Sequence, residues 1–272
     1  MPHREKRKNR LLWKCFREEQ ADRLSFLFGS MHQFPSANWP RREQIFRLLS
    51  ESRLQWVATE TPLEESTPTH MAIQGMTLSE NWLEQIPPKK RERLQKILRK
   101  SSGIDLSRLG MMPPIVLMEF LQRQWLSPLG ELHSIDLEIW EKAGEHQLRT
   151  LGLESSAEHY GLLKDISLQE QIHLLLQTTR NIRYSRRRLY QLYDLYRAEN
   201  LAQLHQAAKR GMGKMREKML YARNRLMAER IVQLADGAPG LAVMGAAHLS
   251  GSKGIIRLLK QKGFKVKALH RE

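Results

Sequence analysis

The chain runs to 272 residues with 41% apolar side chains, a mean hydropathy of −0.54, a formal net charge of +16 and a pI near 10.2. That composition leaves room for a sizeable core in one α/β domain, and the charge attracts polyanions, acidic membranes or acidic partners while saying little about fold. A lone Cys15 excludes an internal disulfide, "LLW" is too short for a signal-peptide core, and no apolar run approaches the ~18 residues of a membrane helix. The expectation is a cytoplasmic protein.

Residues 1–22 read as a basic lead-in, helical or without fixed structure, and residues 23–272 as one domain. "RLSFLFG" is a short apolar run closed by glycine, the pattern of a buried strand. "NWPRREQIFRLLSES" places Ile45, Leu48 and Leu49 at helical spacing, and "LQWVATE" is a second strand ending at Glu60. Strand, helix and strand in succession favour parallel pairing through a right-handed crossover.

Residues from about 63 to 147 are expected to be mainly helical. "TLSENWLEQIP" suggests a helix capped by Thr77 or Ser79 and stopped at Pro87-Pro88. "KKRERLQKILRKSSG" is amphipathic and closed by Gly103, "PPIVLMEFLQRQWL" is strongly apolar, and "SIDLEIWEKAGEH" is a further helix. "LRTLGLE", residues 148–154, reads as a third strand ending on a glutamate. Helices return over about 160–236, with a break near "KRGMGK", which lacks the spacing and the Ser or Thr of a Walker loop. "GLAVMGAAHLSGSKGIIRLLKQKGFKVKAL" gives strand, glycine-rich turn, helix and strand. Met111, Met112 and the tryptophans read as core. The fold class is α/β: a small mixed or mostly parallel sheet with extensive helical insertions.

Two stretches share one pattern. Gly29-Ser30-Met31-His32 and Gly245-Ala246-Ala247-His248 are both Gly-x-x-His directly after an apolar strand. In open α/β sheets, ligands bind beyond the carboxyl ends of the strands. Glu60 and Glu154 also stand at strand ends, so two imidazoles and two carboxylates would share one rim if these strands are parallel neighbours. Such a donor set suits a first-row divalent ion, with water in an open position. Glycine ahead of each histidine lets the backbone come close. Taken singly, either histidine reads as structural or solvated, Glu60 as a surface carboxylate and Glu154 as a cap. The conjunction of all four points to a site. The remaining histidines have no paired spacing, and the absence of G-x-S-x-G argues against a serine hydrolase.

The charge is concentrated. Residues 180–230 hold 14 Lys or Arg against 4 Asp or Glu, a net of +10, and include "RYSRRRLYQLYDLYR". This reads as the solvated face of long helices. An acidic partner, an anionic surface or a nucleic-acid backbone is the alternative, although no nucleic-acid module is recognisable.

In order and spacing, these motifs resemble the TraB/GumN family, related to the Tiki metalloproteases and more distantly to ChaN and erythromycin-esterase-like proteins. The resemblance covers about Leu24 to Leu269 and is strongest over "LAVMGAAHLSGSKGIIRLLKQKGFKV"; "YARNRLMAERI" resembles a characteristic Arg-Asn helix. It implies an α/β core and a metal site in a hydrolase, most plausibly peptidase-like, with a peptide or protein substrate. His32, Glu60 and His248 would bind a divalent ion (manganese, cobalt or zinc). Glu154 would serve as general base or orienting carboxylate, and Arg223 would support transition-state charge. Gly29, Gly245 and Asn224 would support the site. Asp136 falls on a family position and is expected to be a helix cap or structural. Serine replaces the usual glycine before Asp136, and no export signal of the kind many bacterial relatives carry is visible. The alternative is a non-enzymatic protein of the same family that binds or sequesters a peptide or partner.

Overall fold

The apolar runs become strands buried on both faces. A computed structural model describes residues 10–51, 53–63, 78, 80–164 and 166–270. In chain order the elements are β1 (Leu12–Phe16), β2 (Ser25–Ser30), β3 (Gln33–Phe34), α1 (Arg42–Glu51), β4 (Trp56–Thr59), α2 (Pro88–Ser102) and α3 (Pro114–Leu126). Then follow β5 (His133–Ser134), α4 (Ile135–Glu145), β6 (Arg149–Gly152), α5 (Ser156–Lys164), α6 (Leu168–Arg180), α7 (Ile182–Arg197) and α8 (Leu201–Met212). The chain ends with α9 (Arg223–Gly237), β7 (Gly240–Gly245), α10 (Ala246–Leu249), α11 (Ile255–Gln261) and β8 (Lys265–Ala268).

Six strands form one sheet in the order β6-β4-β7-β2-β1-β8, and β3 pairs with β5 in a separate ribbon. β2, β7, β4 and β6 are parallel, whereas β1 is antiparallel to both β2 and β8. Every residue of β2, β4 and β7 is buried, as parallel strands covered on both faces require. The α/β class with a mixed sheet and many helices is as expected.

Three local expectations are corrected. The lead-in holds a strand from Leu12 onward, because Leu12 and Cys15 bury completely between β2 and β8. β2 and β4 are parallel but not adjacent: β7, from the far end of the chain, takes the place between them. "TLSENWLEQIP" yields only a 3₁₀ turn, Trp82–Gln85, capped by Asn81, and Pro88 begins α2 rather than stopping a helix. Thr77 and Ser79 lie outside the described residues.

Contacts separate the described residues into two compact units, one within 1–64, 131–162 and 192–272, the other within 65–130 and 163–191. The second is helical. α2 starts with proline at its first turn and ends on left-handed Gly103 (φ 67°), and α6 opens with a Ser167/Glu170 capping box. Its core is built from Trp82, Leu94, Leu98, Leu121, Trp125 and Leu175, and each such leucine contributes roughly 1.5–3 kcal/mol by leaving water. All six tryptophans of the chain are buried; Met111, expected in the core, is 43% exposed.

The first unit contains both sheets. Its register decides where the chain leaves the parallel strands: Ser30 pairs with Gly245, and Thr59 with Gly152. The four exits therefore lie along one rim. His32, Glu60, Glu154 and His248 each follow within three residues of a strand end.

Candidate functional site

The turn after β2 carries strain. His32 sits at φ 53°, in the left-handed region that a non-glycine residue rarely occupies. It is held there from outside: the Ile135 N–H donates to the His32 carbonyl at 2.9 Å, and Gln33 pairs with Ser134. The same ribbon leads into α4. Ser134 Oγ accepts from Leu137 N (3.3 Å) and caps that helix, so the Asp136 carboxylate is not needed as a cap. Asp136 Oδ2 instead meets His32 Nδ1 at 2.5 Å. Of the two roles expected for Asp136, the cap is filled by Ser134, and its carboxylate instead braces the His32 ring. A signal was present in the sequence, because a serine N-cap ahead of it left a first-turn aspartate without a local partner.

His248 lies in the single turn of α10. Its Nδ1 is 2.6 Å from Asn224 Oδ1, and Asn224 Nδ2 donates to the Lys253 carbonyl at 2.7 Å. With its amino group committed to a carbonyl, the Asn224 amide presents oxygen to the ring, so Nδ1 of His248 carries the proton. His32 Nδ1 likewise faces a carboxylate acceptor. Each imidazole therefore turns Nε2 the other way, and both point to one atom: Glu60 Oε1 is 3.7 Å from His32 Nε2 and 3.6 Å from His248 Nε2.

Glu60 is pinned. Oε1 accepts from the Gly245 N–H at 2.6 Å and Oε2 from Arg223 Nη2 at 2.5 Å. Arg223 also donates through Nε and Nη2 to Glu154 at 2.8–3.0 Å. Glu154 is fully buried, with His159 Nδ1 3.7 Å from its Oε2. Arg223 and Asn224 are neighbours at the start of α9, directly after a π-helical stretch, Glu217–Ala222. Successive helical side chains diverge, so Arg223 serves the two glutamates while Asn224 serves His248.

Two glycines are required here. A Cβ on Gly245 would stand 3.1 Å from His32 Nε2 and 3.2 Å from Glu60 Oε1, inside the cluster itself. A Cβ on Gly29 would meet Leu249 at 2.9 Å and the Ala246 backbone at 3.0 Å, pushing α10 off β2. His205, given no role by its spacing, supports α10 from behind: its Nδ1 is 2.8 Å from the Ala247 carbonyl oxygen.

Burial opposes ionisation of Glu60, but His248, His32 and Arg223 hold its carboxyl well below the usual range. Burial likewise opposes ionisation of Glu154, and the nearby His159 imidazole and the hydrogen bonds from Arg223 bring its pKa down. Desolvation within the cluster disfavours charge on His32 although its side chain is about half exposed, yet Asp136 and Glu60 outweigh it and raise its pKa to about 9. On His248 burial prevails and lowers the pKa to about 4. One imidazole is therefore readily cationic beside the carboxylate and the other neutral.

The donors fit a divalent ion in kind: two imidazole Nε2 atoms and one ionised carboxylate, each ring fixed from its Nδ1 side in the manner of metal-ligating histidines. Ligands of one tetrahedral ion lie about 3.3 Å apart at bonds near 2 Å. The two Nε2 to Oε1 distances are a few tenths longer, and among the described residues no set of three His, Cys, Asp or Glu side chains already stands at ligand spacing. Asp136 Oδ1 is buried without a hydrogen-bond partner.

A parallel-centred α/β sheet with a His/Glu/Arg cluster on its rim defines the class. The chain belongs to the TraB/PrgY/gumN family, which matches residues 11–268, nearly its whole length. No curated protein and no solved structure matches it. Among the described residues no helix is long and apolar enough to cross a membrane.

Proposed function

We propose that this chain is a metal-dependent hydrolase acting on peptide-like substrates, with His32, His248 and Glu60 holding one divalent ion (manganese, cobalt or zinc). The observation that supports the reading is the convergence of two Nε2 atoms on one Glu60 oxygen, with both Nδ1 positions occupied by acceptors. When bound, such an ion polarises a carbonyl and acidifies water. The protein's own groups set the stage. Asp136 holds the Nδ1 proton of His32, and Asn224 holds that of His248. Arg223 keeps Glu60 ionised and immobile. Glu154, wholly buried against Arg223, orients that guanidinium; of the two roles expected for it, geometry favours this one over general base.

The test is metal content after dialysis against each ion, together with hydrolysis of a mixed peptide library. We expect about one ion per chain in the wild type and loss of both ion and turnover in a His32→Ala/His248→Ala double variant. A wild-type chain that retains no ion and cleaves nothing under any of the three metals defeats the reading and leaves peptide or partner sequestration in its place.

A further inference from the structure

The stretch "RYSRRRLYQLYDLYR" spaces Tyr190, Tyr193 and Tyr196 three residues apart along one side of α7. In sequence these rings interleave with arginines, but in the structure Tyr193 and Tyr196 turn inward, at 4% and 0% exposure. Each gives its hydroxyl to a backbone carbonyl at one end of the turn that carries His32. Tyr196 Oη donates to the Gly29 carbonyl at 3.0 Å, and Tyr193 Oη to the Gln33 carbonyl at 3.0 Å. Burial pushes the Tyr193 hydroxyl up to about 12 and that of Tyr196 well above its usual value, so both stay protonated donors. Phe34 lies against both rings, 5.7 Å between centroids in each case.

The Gly29 contact interrupts the sheet. Leu12 pairs with Phe28, so one step further the antiparallel register sets Leu11 opposite Gly29. The Gly29 N–H does reach the Leu11 carbonyl, at 2.8 Å. The returning bond is replaced by side chains: the Leu11 N–H goes to Glu199 Oε2 at 3.3 Å, and Tyr196 supplies the donor for the Gly29 carbonyl. Only Ser30, Met31 and His32 lie between the two held residues, and His32 is the one at φ 53°. An apolar side chain would cover this turn as well as tyrosine does, but only a hydroxyl can meet the two carbonyls.

We propose that Tyr193 and Tyr196 are positioning residues for His32: their hydroxyls fix the peptide planes at both ends of the turn and so hold the imidazole with Nε2 towards Glu60. The effect on an ion rests on the metal reading, whereas the effect on the imidazole does not.

Tyr193→Phe and Tyr196→Phe, singly and together, keep the rings and remove only the hydroxyls. Tyr190→Phe is the matched control, because its hydroxyl on the same helix donates to the Trp125 carbonyl at 2.8 Å, away from the turn. The first readout is the Nδ1–H resonance of His32 in the metal-free chain, with isotope-labelled histidine and assignment by its loss in His32→Ala. In the double variant we expect that proton to exchange with water at least about tenfold faster, under an unchanged circular dichroism spectrum. The second readout, ion retention against a chelator, should fall about tenfold. Tyr190→Phe should leave both as in the wild type, whatever it does to the melting temperature. An unchanged His32 resonance in the double variant overturns the proposal, as does a His32 resonance already absent in the wild type. An equal change in Tyr190→Phe overturns it too, since that marks a general loosening of the helix. If the double variant does not fold, the single variants carry the same comparison. A chain that holds no ion but shows the altered resonance defeats the metal reading and leaves the role of the tyrosines in place.

Discussion

His32 and Asp136 are 104 residues apart in sequence, yet Nδ1 of the one and Oδ2 of the other meet at 2.5 Å. The contact exists because β3 and β5 zip the turn after β2 onto the start of α4. It fixes which way the imidazole faces. Replacing a partner of this kind behind a ligating histidine typically lowers metal affinity by about 10–100-fold. Asp136→Asn should therefore weaken ion retention by that order, read by competition with a chelator, while the circular dichroism spectrum stays that of the wild type. Unchanged affinity would mean that the aspartate only braces the turn.

Gly245 occupies the narrowest point of the site. Gly245→Ala would place a methyl carbon 3.1 Å from His32 Nε2 and 3.2 Å from Glu60 Oε1. Those atoms must move apart, and overpacking of this size costs about 1–3 kcal/mol. We expect a lower melting temperature together with loss of ion binding. A variant that binds ion normally would show that the cluster does not close over this position.

Arg223 is the only guanidinium bonded to both Glu60 and Glu154 among the described residues. Removing it leaves two carboxylates buried beside each other, and breaking a buried pair in this way costs about 3–5 kcal/mol. Arg223→Gln should be strongly destabilised in urea, and Glu154→Gln in the same chain should restore part of the loss. If the two changes simply add, the pair is not coupled.

A pH response is expected at the Glu158–Arg230 pair, which holds Leu153 and Ser155 on either side of Glu154. Hydrogen bonds from Arg230 and from the Ser155 N–H lower the Glu158 pKa to about 2. A carboxyl depressed on folding adds stability above its unfolded pKa of about 4.3, and that stability drains away as pH falls toward 2. Glu158→Gln should flatten the decline in melting temperature between those limits. The pair is partly exposed, so the effect is small. An identical pH profile in the variant rules out the pair as a contributor.

Much of this fold was legible in sequence for a local reason. Apolar runs such as "SFLFG" and "LAVMG" can be buried on both faces only as central strands, and the two Gly-x-x-His echoes marked where they end. β1 escaped notice because "LWKCF" mixes lysine into a short run, and its burial depends on two distant strands supplying both edges. For Asp136 the capping alternative fails because Ser134 already fills that role, while the structural one stands as a brace on His32.

By itself the sequence determined the segments of β2, β4, β6, β7 and β8, the helices with clear caps, and the residue types available at the ends of those strands. Tertiary structure alone decided that β7 lies between β2 and β4. That placement puts His248 and the Gly245 N–H against Glu60 and within reach of His32. Local propensity depends on neighbours a few residues apart, whereas strand order depends on which long-range pairing buries the most apolar surface with every backbone group bonded. For the same reason the pairing of Asp136 and Asn224 with the two Nδ1 atoms, unlike the residues themselves, became visible only when the chain was folded.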